Sequence, residues 1–150
     1  MLLSTGIIDD VMDTGWNTVF TNPIMELRDG TPPASADAAE TGNLLATVTL
    51  PTSGYFGAAS NGIKQGAGSW NGTVSAGGTP TWFRIKNTAD GGGSSSTLPR
   101  IDGTVGASGS DADLIITTLP FVALDTLDIT DFTLAQGQGV IGVDGGGTLL

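Results

Sequence analysis

Leu44-Leu45-Ala46-Thr47-Val48-Thr49-Leu50-Pro51 sets Leu44, Ala46, Val48 and Leu50 against Leu45, Thr47 and Thr49. Alternation with a period of two is the mark of a half-buried β-strand, and the proline closes it. A second such run, Thr81-Trp82-Phe83-Arg84-Ile85-Lys86, puts Phe83 and Ile85 on one face and Trp82, Arg84 and Lys86 on the other. Working outward, residues 24–28, 69–74, 99–105, 113–118 and 124–135 read as further strands. They are separated by breaker runs such as Asp29-Gly30-Thr31-Pro32-Pro33, Asn61-Gly62 and residues 106–110. In the last run the apolar phase slips from Leu127 and Ile129 to Phe132 and Leu134, which predicts a bulge or corner near Thr130 and Asp131. These seven short strands predict a mainly β chain, an antiparallel β-sandwich or jelly-roll-like domain.

One segment departs from this period. Over residues 5–20, Ile7, Ile8, Val11, Met12, Trp16, Val19 and Phe20 form a stripe at helical spacing, with Asp9, Asp10 and Asp13 on the other side. Ser4 or Thr5 is the expected N-cap, and Asn22-Pro23 the stop. Gly15 lies within the stripe, where a glycine suggests another backbone passing close. The expected organisation is an N-terminal helical segment (residues 1–22) packed on the sandwich, a β-sandwich domain (23–136), and an extended glycine-rich C-terminal arm (137–150).

The chain has 150 residues, 24 of them glycine, and neither histidine nor cysteine. Those two absences exclude Ser-His-Asp and Cys-His catalysis, imidazole or thiolate metal sites, and disulfides. Five cations face 15 acids, a formal charge of −10. Too few Lys and Arg are present to displace the counterions of a polyanion, so neither nucleic acid nor an anionic membrane is an expected partner. No secretory signal and no apolar stretch of bilayer length is read at the sequence level. No catalytic residue, cofactor or metal is therefore expected, and the chain is read as a non-enzyme.

The remaining constellations are weak. Asp111 and Asp113 in a glycine-serine loop offer calcium-type oxygen ligands, but the spacing fits loop solvation better. Asp125, Asp128 and Asp131 flank the last strand at three-residue spacing, which is expected to place them on alternating sides without a shared metal. Trp70 and Trp82 are the aromatic platforms that a lectin-like carbohydrate-binding module would use, although Trp82 can instead cover the stems of Arg84 and Lys86. Asn71-Gly72-Thr73 reads as a turn, and residues 90–96 (Asp-Gly-Gly-Gly-Ser-Ser-Ser) as a flexible loop tip.

Several stretches carry a resemblance. They are Leu27-Arg28-Asp29-Gly30-Thr31-Pro32-Pro33-Ala34 with the Ala- and Asp-containing run to Ala39, Thr41-Gly42 leading into the strand ending Leu50-Pro51, and Ala58-Ala59-Ser60-Asn61-Gly62. To these are added Trp82-Phe83-Arg84-Ile85, Asp102-Gly103-Thr104-Val105-Gly106 and Ile129-Thr130-Asp131-Phe132-Thr133-Leu134. Together, over about residues 5–136, they resemble a family of small virion structural proteins of tailed bacteriophages and prophages. The serine-rich insertion near residues 91–96 and the long apolar-ended tail depart from that pattern.

The resemblance implies a capsid decoration or cement protein on the outside of the phage head, assembled in the host cytoplasm and located in the virion. Its implied partners are the major capsid protein or other virion proteins, with a homo-oligomer, a trimer, as the expected state. A tail, neck or fibre-attachment role in the same particle is the alternative, and the lectin-like module is a third. The expected contact residues are an exposed Trp82 and the tail residues Val140, Ile141, Val143, Leu149 and Leu150.

Overall fold

The computed structural model describes residues 2–7, 15–58 and 63–135. Among these the chain is mainly β, with strands β1 (Leu2–Leu3), β2 (Pro23–Arg28), β3 (Leu44–Thr49), β4 (Ile63–Gln65), β5 (Trp70–Val74), β6 (Trp82–Asn87), β7 (Arg100–Gly106), β8 (Leu114–Ile115), β9 (Thr126–Ile129) and β10 (Thr133–Ala135). One large sheet runs in the order β1-β7-β6-β2-β3-β5-β9, with β8 added to β7, and β10 pairs with β4 in a separate two-stranded sheet. All pairings are antiparallel except the parallel β7–β8 contact.

The register puts the alternating residues of neighbouring strands in common rows. Ile101, Ile85, Met25 and Val48 lie side by side across β7, β6, β2 and β3. The same row continues to Gly72 of β5 and Leu127 of β9. Leu27, Phe83 and Ala46 form the row beside it, and all three are fully buried. The curled sheet closes over a cluster of rings: Phe132 lies 5.1 Å from Trp70, 5.8 Å from Phe83 and 6.2 Å from Phe56, ring centre to ring centre. Phe83 and Trp70 stand on strands that are not neighbours, so one ring before β10 ties two parts of the sheet together. Such aromatic contacts add roughly 0.5–1.5 kcal/mol each to the burial itself.

The slip of phase near Thr130 is real and larger than a bulge. The run expected as one strand over 124–135 divides: β9 stays with the large sheet, and β10 leaves to pair with β4. β1 and β4 were not expected, because two- and three-residue strands carry no readable alternation.

The expected helix needs correction. A single helical turn is described at residues 5–7, where Ser4 Oγ caps it by accepting from Ile7 N at 3.2 Å. Residues 8–14 lie outside the described residues. From Gly15 onward the chain is not helical: Gly15 has φ +78° and Asn22 φ +48°, and Thr18 N closes a turn on the Gly15 carbonyl. Among the described residues no backbone passes close to Gly15, whose would-be Cβ meets nothing there. Glycine suits this position for its left-handed conformation. Trp16, Val19 and Phe20 still enter the core, from turns instead of a helix face.

The loop at 90–96 is also not a free tip. Gly92 O accepts from Glu40 N at 2.9 Å and Asp37 O from Ser95 N at 2.8 Å, so this segment is bonded to the loop at residues 29–43. No helix among the described residues is long and apolar enough to cross a membrane.

Candidate functional site

The outer face of the sheet carries the polar alternates of the same strands. Arg84 of β6 stands between Glu26 of β2 and Asp102 of β7, and Lys86 stands beside Arg100. The loop at residues 29–43 folds over this face and buries it. Arg84 donates to both Asp102 oxygens at 2.7 and 2.6 Å, and Arg100 to both Asp90 oxygens at 2.6 and 2.7 Å. Glu40, from the covering loop, reaches Arg28 and Lys86 at 2.6 Å each, and Glu26 accepts from the same two cations. The arginines also donate to backbone: Arg84 to Ala38 O at 3.0 Å and Arg100 to Gly93 O at 2.7 Å. Among the described residues no buried side-chain polar atom lacks a partner. Two-pronged arginine–carboxylate pairing of this kind is the strong form of the ion pair.

Four cations and four carboxylates meet here, so the network is formally neutral. The charge of −10 therefore rests on the other eleven acids, opposed by Lys64 alone. Burial pushes the Asp90 carboxyl up, but the Arg100 guanidinium and the Gly92 N–H outweigh it, and its pKa lies below the ordinary value. Asp102 goes the other way: burial raises it, and the Arg84 hydrogen bond offsets only part of that.

Trp82 belongs to this buried face. It is 0% exposed, its Nε1 donates to Asp29 O at 3.1 Å, and the Arg84 guanidinium lies over its ring at 5.7 Å. The expectation of an exposed contact tryptophan is corrected: the side of β6 opposite the core is covered by the 29–43 loop, so the alternate face is not solvent. Trp70 is 1% exposed and part of the ring cluster. Neither tryptophan offers a stacking platform for a sugar. The five tail residues Val140, Ile141, Val143, Leu149 and Leu150 lie outside the described residues.

The acidic candidates sort differently. Asp113 accepts from Thr104 N and Oγ1 at 2.9 and 3.0 Å, a loop-to-strand tie, and Asp111 is exposed. Asn71-Gly72-Thr73 forms part of β5 and not a turn. Among the described residues no group of His, Cys, Asp or Glu could hold a metal ion.

A second region was not legible as a site. The two ends of the large sheet, β8 and β9, approach without pairing and leave a cleft of about 330 Å³ between them. Leu114, Ile116, Phe121, Leu127 and Ile129 give it an apolar floor, and Asp125, Asp128 and Asp131 all line it. The three aspartates thus border one cleft although the unbroken register of β9 puts Asp125 and Asp128 on opposite faces, as the spacing predicts, because the cleft runs along the strand's edge and touches both faces. Ile115, Val122 and Leu124 are exposed around it, Leu124 at 84%. Their sequence signal, three aspartates at three-residue spacing among branched apolar residues, was visible without pointing to a cleft.

No family model, curated protein or solved structure matches this chain.

Proposed function

We propose that this chain is a virion structural protein of the tailed-phage kind, a decoration or cement protein that binds the outer surface of the head and stabilises it. We read the curled sheet with its two-stranded partner as a jelly-roll-like sandwich suited to presenting loops and termini to a lattice. The observation that carries the reading is the division of charge. Four of the five cations are used up inside the fold, which leaves an exterior that is acidic apart from Lys64 and carries exposed Ile115, Val122 and Leu124. Such an exterior repels polyanions while offering apolar area to a complementary surface.

The mechanism is mass action. A protein that binds only the expanded lattice stabilises that state by its differential affinity, summed over the copies bound. A trimer on local threefold positions is the arrangement we favour. The lectin-like reading loses its basis with the burial of Trp70 and Trp82. The test is co-sedimentation of purified protein with precursor and with expanded heads. Saturable binding to expanded heads alone supports the cement role, whereas binding confined to isolated tails moves the chain to the tail, neck or fibre attachment.

A further inference from the structure

The cleft between β8 and β9 has the makings of a missing strand. β9 pairs with β5 on one side, and among the described residues no strand pairs with its other edge. The bonds at its start fix which groups are free. Leu124 N donates to Val74 O and Val74 N to Asp125 O, with Leu124 at φ +76°, a bulge whose first residue is left-handed. Counting on from the Val74–Asp125 pair, bonded and non-bonded pairs alternate. Leu127 and Ile129 then turn their backbone groups to β5, and Thr126 and Asp128 turn theirs toward the cleft. An unpaired edge is a template for another chain, and proteins that leave one bare usually guard it with charge.

The guard also selects. Three aspartates and no cation line the cleft. A second copy of the same edge brings like charge, and residues 137–150 of this chain bring Asp144 and no cation. A basic strand is attracted. Leu124 adds to this: a branched side chain held in a conformation that favours glycine, and left 84% exposed at the rim, is costly to the isolated fold.

We propose that this cleft receives one extended segment of a partner chain, apolar on the side facing Leu127 and Ile129, carrying Lys or Arg on its other side against Asp128 and at its ends against Asp125 and Asp131, which pairs with the free edge of β9. The proposal rests on reading the chain as an assembly-binding subunit and specifies the chemistry of the partner. Backbone pairing supplies affinity, and the floor and the aspartates supply specificity.

The probe is a synthetic ten-residue peptide of alternating valine and lysine, compared with its valine–glutamate counterpart and with a peptide of residues 137–150. Binding is read by amide NMR and hydrogen exchange on the full chain. The basic peptide is expected to shift and protect the Thr126 and Asp128 amides, more weakly as salt rises. Thr126→Pro removes an outward N–H that no strand among the described residues uses and is expected to keep the native spectrum while losing at least tenfold in affinity. Asp125→Asn with Asp128→Asn is expected to abolish the preference for the basic peptide.

Equal binding of the acidic peptide, protection elsewhere, or undiminished binding by Thr126→Pro overturns the proposal. Preferential binding of the 137–150 peptide overturns the basic partner and gives the cleft to this chain's own tail. Failure of the virion role is separable: protein that takes the basic peptide at β9 but ignores phage heads keeps the cleft and loses the cement reading. Head binding unchanged in Thr126→Pro does the reverse.

Discussion

Arg84 and Asp102 occupy directly paired positions on β6 and β7 and meet through two parallel hydrogen bonds of 2.7 and 2.6 Å, with both side chains buried beneath the loop at residues 29–43. The pair joins strand to strand, and Arg84 Nη1 joins both to the loop through Ala38 O. Removing one partner leaves the other charged in an apolar setting. Asp102→Ala is expected to cost about 3–5 kcal/mol, whereas Arg84→Met with Asp102→Leu is expected to recover most of it. Urea denaturation of the three proteins checks this; a double variant as unstable as the single one would contradict it.

The carboxylates predict an unusual response to acid. Asp90 titrates below the ordinary 3.8 in the fold, so its stabilisation is complete above that value and is lost as pH falls through the folded pKa. Asp29, held down by the Asn43 backbone N–H, has the same sign, as does Asp113, where Thr104 outweighs burial. Asp102 is raised by burial, so on mild acidification the folded state takes its proton before the unfolded state does, which favours folding. The melting temperature is expected to hold or rise slightly as the pH falls from neutral toward the ordinary carboxylate value of 3.8 and to decline as the pH falls below it. Asp102→Asn should remove the rise and keep the fall. A steady decline from pH 7 would contradict the assignment.

How much of this was readable depends on the residue. The alternation at 44–50 and 82–86 gave the strands and the correct inward face, because side-chain period reports burial on one side directly. It could not tell that the opposite face was covered. The cover comes from residues 29–43, a Gly-, Pro- and Ala-rich stretch with no period, and its position depends on long-range bonds such as Glu40 to Lys86. Charged residues at alternate positions on three strands, acid and base at 26–28 and 100–102 and two cations at 84–86, were the available hint. The cleft was hidden for a different reason: it exists because β8 and β9 fail to pair, and sequence patterns report strands and not the gaps between them.

Gly72 illustrates a position fixed by its neighbours. It sits between Val48 and Leu127 in extended backbone, and a Cβ there would run into Thr47 O and the Val48 backbone. Gly72→Ala must push β5 away from β3 and is expected to cost about 1–3 kcal/mol. At Gly91 nothing lies near the added carbon, so Gly91→Ala should change stability by less than about 0.5 kcal/mol. Thermal unfolding of both variants checks the contrast; equal effects would contradict the packing of β5 against β3.

Leu124→Gly relieves the left-handed strain at the bulge and is expected to raise stability by about 1 kcal/mol, since Leu124 contributes little burial to offset its conformation. The same variant should bind its assembly less well, a loss of function with a gain of stability. A destabilised variant would show that the bulge is held by contacts of the leucine side chain.

The central claim is that this chain acts by occupying area on a phage particle. Quantitative mass spectrometry of purified virions, with capsid protein as the internal standard, tests it most directly. The account predicts the chain in fixed proportion to the capsid protein, released with loss of head stability and rebound on adding back the purified protein. Virions that lack the chain, or hold it in amounts unrelated to the head lattice, would contradict it.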